Sequence, residues 1–183
     1  MTKKYLLLTT AFTTLLALGA CGQQNQDTSM GHSSMDHTDM QMQESKLPAG
    51  MKEAVKPAYP KGEKVRINAD HMAGMKGAEG TVAGAYDTTV YAVSYQPEDG
   101  GQPVKNHKWV IHEEIKNAGK KPFKKGDEVT LNADHMPGMM GAKATIDSAT
   151  PTTVYMVNYT DQKTGKKVTN HKWITQDELA AIK

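Results

Sequence analysis

The chain has 183 residues, with 22 Lys and Arg, 20 Asp and Glu, and a single cysteine. This near balance of charge does not suggest a nucleic-acid partner, which would be expected with a concentrated basic face. One cysteine excludes an intramolecular disulfide and a thiolate-based zinc or iron–sulfur site. The sequence also lacks a Ser-His-Asp order, a pair of catalytic carboxylates, a P-loop and a nucleotide fingerprint, so we expect a protein that is not an enzyme.

The N-terminus has the pattern of a bacterial lipoprotein signal peptide. Two lysines precede an apolar run at 6–18, which is shorter than the roughly 20 residues of a membrane-spanning helix. The run ends in LGAC at 18–21, which resembles the lipobox of bacterial lipoproteins. We therefore predict that residues 1–20 are a signal peptide. We predict that Cys21 carries lipid and anchors the chain to the extracytoplasmic face of the cell membrane. An ordinary secretory signal is the alternative.

Residues 21–60 are predicted to be a disordered tether followed by a proline-punctuated linker, because 22–45 is polar and poor in β-branched and aromatic residues. Methionine has no core to fill in such a segment. Thioether sulfur suits Cu(I), and imidazole binds both Cu(I) and Cu(II). We therefore expect the tether to bind copper, with chance composition as the alternative. Its candidate ligands are Met30, His32, Met35, His37, Met40 and Met42.

An internal repeat dominates the remaining chain. Residues 61–115 and 125–179 align at an offset of 64 positions without a gap. The shared blocks are NADHM at 68–72 and 132–136, TTVY at 88–91 and 152–155, and NHKW at 106–109 and 170–173. We therefore place two small domains at 61–117 and 124–183.

Short alternating runs in each repeat predict four or five short strands. Tight turns are expected at 87–88 and 150–152, hairpin turns at 97–101 and 161–165, and a short C-terminal helix through Ala180. The pattern predicts an all-β fold made of two SH3-like barrels in tandem. An OB-like barrel is the competing prediction.

The motif DHMxGM occurs in both repeats, at 70–75 and 134–139. It combines a carboxylate, an imidazole and two thioethers, and its glycine would let the loop fold back so that these groups converge. Alternatively, Met72 and Met75 fill the barrel mouth as core residues. The candidate copper ligands here are His71, Met72, Met75, His135, Met136, Met139 and Met140.

The NHKW block adds a second histidine and a tryptophan to each repeat. In a strand, His107 shares a face with Trp109, and His171 shares a face with Trp173. Because a tryptophan face can stack against a cation, we predict that these residues meet the loop and form a His–Met–Trp site for Cu(I), with Cu(II) also possible. The alternative is that both tryptophans belong to the core.

The repeated blocks NADHMxGMxGA, TTVY and NHKW resemble the YdhK-family domain of Gram-positive bacteria. With the lipobox and the Met/His-rich tether, the whole chain resembles the CopL-type copper-binding surface lipoproteins of staphylococci and their relatives. The resemblance implies copper sequestration outside the membrane, in support of a copper-exporting ATPase or a multicopper oxidase. A cell-wall or protein-interaction module and a copper chaperone are the alternatives, because a fold does not fix a function.

Overall fold

The structure is a computed structural model and describes residues 47–182. This part of the chain forms one eight-stranded antiparallel sheet, so the predicted all-β class is confirmed. Cys21 and the six tether ligands lie outside the described residues. The strands are β1 Lys52–Glu53, β2 Lys64–Ile67, β3 Glu79–Tyr95, β4 Val104–Ile111, β5 Glu128–Thr130, β6 Lys143–Thr160, β7 Lys167–Thr175 and β8 Leu179–Ala181. No helix within 47–182 is long and apolar enough to cross a membrane.

Two long strands, β3 and β6, run through the centre of the sheet. The tight turns predicted at 87–88 and 150–152 are absent, because each long strand continues through its polar TT segment. Neither strand folds back on itself; each pairs with the other along its whole length. Asp87 accepts a hydrogen bond from Thr153 across this pairing (2.8 Å). The residues predicted as turns therefore lie where the long strands of the two repeats pair side by side at their midpoints. We call this pairing the crossing of the two repeats.

The pairing of β3 with β6 is symmetric about one point. Thr88 lies opposite Thr152, the same residue in the other repeat. The pairs on either side of that point are equivalent. Gly80 pairs with Tyr159, and Tyr95 pairs with Ala144. Ala144 and Tyr159 are the residues 64 positions after Gly80 and Tyr95. The two repeats are thus related by a pseudo-twofold axis through the middle of the long strands.

The described residues form two lobes, each with its own cluster of buried side chains, which we call the outer cores. Each outer core combines residues of both repeats. In one lobe, Ile67 and Met75 of the first repeat pack with Tyr155 and Ile174 of the second. In the other lobe, Tyr91 packs with Met139, Leu131 and Ile146. The SH3-like barrels predicted from the sequence are therefore not found, because no lobe is built from one repeat alone. The bounds 61–117 and 124–183 describe repeats in the chain, and the two lobes cross them.

Two short strands occupy places where the sequence predicted helix or linker. A 3₁₀ turn, Gln176–Glu178, follows β7, and the chain then continues as β8, which pairs with β2. The prediction of a C-terminal helix is therefore wrong. The segment pairs with β2 as a strand, and this pairing buries Leu179 in an outer core. Within the linker, β1 pairs with the middle of β3.

The DHMxGM loops are held by hairpin turns of the opposite repeat. The Glu98 N–H donates to the Gly138 carbonyl (2.9 Å), and the Gln162 N–H donates to the Gly74 carbonyl (3.0 Å). Gly138 has a φ of 70°, and a Cβ there would lie 2.8 Å from the Pro97 Cβ. Glycine is therefore required for both the backbone conformation and the close approach.

The loop glycines provide a first test of this docking. We expect Gly138→Ala to lower the free energy of unfolding by about 2–4 kcal/mol, from positive-φ strain and a rigid clash. Gly141→Ala is the matched control, because its φ is 84° but nothing lies within 4 Å of the added Cβ. It should cost about 1 kcal/mol. Urea denaturation measures both, and equal losses would contradict the docked arrangement.

Candidate functional site: a four-histidine cavity

One cavity of about 910 Å³ is lined by corresponding segments of both repeats. The four repeated histidines, His71, His107, His135 and His171, all line it. His107 and His135 come from different repeats, and their ring centroids are 6.0 Å apart. The sequence predicted a separate site in each repeat. The structure instead brings the histidines of both repeats to one place.

Two glutamates hold the loop histidines from the opposite repeat. His71 Nε2 lies 2.7 Å from Glu178 Oε1, and His135 Nε2 lies 2.8 Å from Glu114 Oε1. Because a carboxylate only accepts hydrogen bonds, each histidine donates through Nε2–H. In the neutral ring, Nδ1 then carries the free lone pair. Carboxylate–histidine pairs of this kind orient histidines that bind metals.

The same carboxylates also accept from the tryptophans. Trp109 Nε1–H donates to Glu178 (2.9 Å), and Trp173 Nε1–H donates to Glu114 (3.0 Å). Burial by itself raises the pKa of Glu178, but hydrogen bonds from His71, the Thr175 backbone and Trp109 outweigh it and bring the pKa to about 2. Glu178 is therefore ionised at neutral pH and acts only as an acceptor.

The strand histidines have a different environment. Nε2 of His107 and Nε2 of His171 are buried and have no hydrogen-bond partner among the described residues. Each ring packs edge-on against a tyrosine of the same repeat, Tyr95 or Tyr159, whose hydroxyl is also buried without a partner. Since buried polar atoms are nearly always hydrogen-bonded, these four atoms indicate where an ordered water or a bound ligand contributes polar contacts.

Both strand histidines are neutral at physiological pH. Burial lowers the pKa of His107 to about 4, with further lowering from the charges of His135 and His71. Burial lowers the pKa of His171 to about 4 as well, again assisted by His71 and His135. A neutral imidazole retains the lone pair that a metal ion needs.

A bulge in each outer strand sets the direction of these histidines. Between the pairs Val93–His107 and Tyr91–Val110, β4 has one residue more than β3, and β7 repeats this feature. A second bulge lies between the pairs Val93–His107 and Tyr95–Val104. It contains Asn106, whose φ of 49° is in a region that asparagine tolerates better than most residues. The predicted alternation fails here: His107 lines the cavity, whereas Trp109 packs against a third cluster, the central core. This core consists of Tyr86, Val90, Ile111, Val154, Met156 and Trp173.

The predicted methionine ligands divide into two groups. Met72 and Met136 line the cavity and are about half exposed, at 51% and 46%. Met75 and Met139 are fully buried in the two outer cores. They are core residues and do not belong to the candidate site. Met140 is exposed, but it does not line the cavity.

The tryptophans do not line the cavity. Trp173 is buried in the central core, and Trp109 packs against the same cluster. The adjacent lysines cover their rings, with Lys108 Nζ 5.1 Å and Lys172 Nζ 5.5 Å from the ring centroids. Both tryptophans therefore act as hydrogen-bond donors to the glutamates. The cation over each ring is a lysine and not a copper ion bound in the cavity.

The two glutamates are part of the site but were not predicted from the sequence. In the sequence each follows another acidic residue, Glu113 or Asp177, which is typical of an exposed turn, yet Glu114 is only 3% exposed. Their equivalence at the offset of 64 was the available signal, since the neighbouring His112 has no such equivalent. Within residues 47–182, no group of three or more His, Cys, Asp or Glu residues has the spacing to hold a metal ion. The cavity thus supplies imidazoles without a complete coordination shell.

Comparison with known proteins identifies the family of the repeats. Residues 61–112 and 125–176 each match the family described as "Protein of unknown function (DUF1541)". The chain belongs to the DUF1541 family. The Bacillus subtilis (strain 168) protein described as "Uncharacterized protein YdhK" is 53% identical, over 97% of this chain and 89% of that protein. The tandem repeat and the YdhK-family resemblance are therefore confirmed.

Solved structures of DUF1541 proteins have the same fold. The crystal structure of B. subtilis ydhK is 59% identical, with a TM-score of 0.74, covering 75% of this chain and 94% of that one. A solution NMR structure of the ydhK C-terminal domain is 64% identical, with a TM-score of 0.64, covering 66% of this chain and 91% of that domain.

The low pKa values of the strand histidines predict acid sensitivity. In the unfolded chain each binds a proton near pH 6.5, whereas in the folded chain it does so near pH 4. Their contribution to stability is therefore complete above pH 6.5 and is lost as the pH falls toward 4. Each contributes up to about 1.4 kcal/mol per pH unit within that window.

The matched variant for this test is His107→Gln/His171→Gln in metal-free protein, since glutamine does not titrate. We expect its free energy of unfolding to depend less steeply on pH between 6.5 and 4 than that of the unmodified chain. Denaturant melts at half-unit pH steps measure the slope. Parallel profiles would show that the two histidines titrate normally in the folded protein.

Proposed function

We propose that this DUF1541 protein is a lipid-anchored, extracytoplasmic copper-binding protein that sequesters copper ions and contributes to copper resistance. The observation that carries the proposal is the convergence of four imidazoles from both repeats on one cavity. The resemblance to CopL-type lipoproteins in the lipobox, the Met/His-rich tether and the repeat blocks supports the same function. The proposal assigns no catalytic step to the chain.

The histidines fit a copper ion by their chemistry. His71 and His135 have their Nε2 atoms held by the carboxylates of Glu178 and Glu114, which leaves Nδ1 as the ligand nitrogen and raises its basicity. His107 and His171 are neutral at pH 7 because their pKa values are about 4. Binding therefore requires no loss of a proton from these two rings.

The methionines at the cavity extend the ligand set to soft metals. The half-exposed Met72 and Met136 can turn their thioethers toward an ion held by the loop histidines. Imidazole suits both copper oxidation states, and thioether favours Cu(I). With Met75 and Met139 in the core, the cavity is richer in nitrogen than the sequence indicated. A preference for Cu(I) then depends more on the tether.

A Cu(I) competition titration tests the proposal on four proteins: the mature chain, the chain lacking residues 22–45, His71→Ala/His135→Ala, and Met140→Ala. We expect the deletion to remove the copper held by the tether and the double substitution to remove the copper held by the cavity. Met140→Ala is the control, because this exposed residue lies on the same loop as Met136 but outside the cavity lining. Equal stoichiometry in all four proteins would refute both sites.

The anchor is tested separately. We expect Cys21→Ala to release the protein from the membrane fraction into the medium, because Cys21 is the sole thiol available for acylation. A single change should move the protein from the detergent phase to the aqueous phase in a phase-partition assay. Retention of the variant in the detergent phase would show that another segment holds the protein at the membrane.

A cell-wall module and a copper chaperone are distinguishable from this function. Binding to purified walls that persists after copper is chelated would favour a wall-binding module. Transfer of copper from the loaded protein to an exporting ATPase or a multicopper oxidase, faster than dissociation into solution, would identify a chaperone. The sequestration proposal expects neither result.

A further inference from the structure

The cavity is much larger than a single metal ion requires. Its volume of about 910 Å³ lies in the range of cavities that bind small organic molecules, roughly 300–1,000 Å³. Its lining also contains groups that a soft ion does not use, among them Asn106, Asn170, Lys105 and Asp70. These amide, ammonium and carboxylate groups are suited to hydrogen bonds with an organic ligand.

The protein's own groups do not complete a coordination shell. No three His, Cys, Asp or Glu residues of the described chain have the required spacing, and the ring centroids of His107 and His135 are 6.0 Å apart. An ion held by one or two of these imidazoles still needs ligands from elsewhere. A cavity of this size has room for them.

The two asparagines are placed to contact such a ligand. Asn106 and Asn170 keep φ values of 49° and 50°, and their backbone N–H groups are held by Ser94 Oγ and Asn158 Oδ1. Within residues 47–182, neither side-chain amide takes part in a hydrogen bond of the structure, although both residues line the cavity. Asparagine adopts this left-handed conformation more readily than most residues, so the backbone can hold both amides at the cavity.

We propose that the cavity takes copper as a complex with a small amino-carboxylate chelator, so that the organic ligand enters together with the ion. The loop histidines bind the ion through nitrogen. The asparagine amides and Lys105 donate to the ligand's carboxylate, and Asp70 and Asp134 accept from its amine. The step is a ligand exchange: an imidazole nitrogen replaces one donor atom of the chelator, and no electron is transferred. This inference rests on the proposed function.

The test is equilibrium dialysis of the full mature chain against copper(II) and radiolabelled glycine, with the two retained components counted separately. We expect glycine to be retained only when copper is present, at about one glycine per copper held by the cavity. Asn106→Gly/Asn170→Gly removes both amides while glycine accepts the positive φ. This variant should keep its copper and retain at least fivefold less labelled glycine.

A tether variant, His32→Ala/His37→Ala, is the control for copper held outside the cavity. Glycine retention that is unchanged in this variant and reduced in the asparagine variant supports the proposal. Copper retention without glycine retention overturns this inference and leaves the proposed function standing. A loss of glycine retention in the tether variant, with none in the asparagine variant, has the same consequence. Loss of all copper retention from the unmodified chain overturns both.

Discussion

The pairing of β3 with β6 is the constraint on which the rest of the structure depends. Fifteen positions of each strand pair antiparallel about Thr88 and Thr152, so each repeat gives its first half to one lobe and its second half to the other. Burying a large apolar side chain stabilises a fold by roughly 1.5–3 kcal/mol. In this molecule most of that burial requires partners from the other repeat. Neither core exists without the crossing, and the cavity between corresponding loops does not exist without it either.

The crossing of the two repeats also explains how Glu114 can be buried and Glu178 largely removed from solvent, because each carboxylate finds hydrogen-bond donors there. Glu114 and Glu178 each end the 3₁₀ turn that follows an outer strand of one repeat, and each meets the loop histidine of the other. A buried carboxylate is stable only when its acceptor sites are used. Here an imidazole, an indole N–H and a backbone N–H use them in both glutamates, the backbone donor being Ile111 for Glu114 and Thr175 for Glu178. The Thr175 hydroxyl also donates to Glu178. The same contacts fix the loops against the sheet and leave one nitrogen of each loop histidine free.

The sequence predicted local features well and the connection between them poorly. The strand runs, the turns at 97–101 and 161–165 and the four repeated histidines follow from periodicity and alignment. The failure concerned Asp87-Thr88, which has turn-like composition but continues as strand. A closed hairpin and an exchanged one satisfy the same alternation, so pattern alone cannot choose between them. Met75 and Met72 likewise differ only in which side of a glycine loop they occupy, and tertiary packing decides that one is core and the other is exposed.

Carrying both repeats in one chain permits differences that a symmetric dimer could not have. The pseudo-twofold axis relates Lys105 to Thr169, both of which line the cavity, so at this position one half of the site has an ammonium group and the other half a hydroxyl. Trp173 is buried, whereas Trp109 remains partly exposed. β1 also pairs with the long strand of only one repeat. A bare ion at the centre of the cavity would gain little from such asymmetry, because its ligands are repeated in both halves. An organic ligand with a carboxylate at one end and an amine at the other would gain directly from it. Lys108 and Lys172 line both halves of the cavity, and Lys105 adds a further ammonium group to one half only.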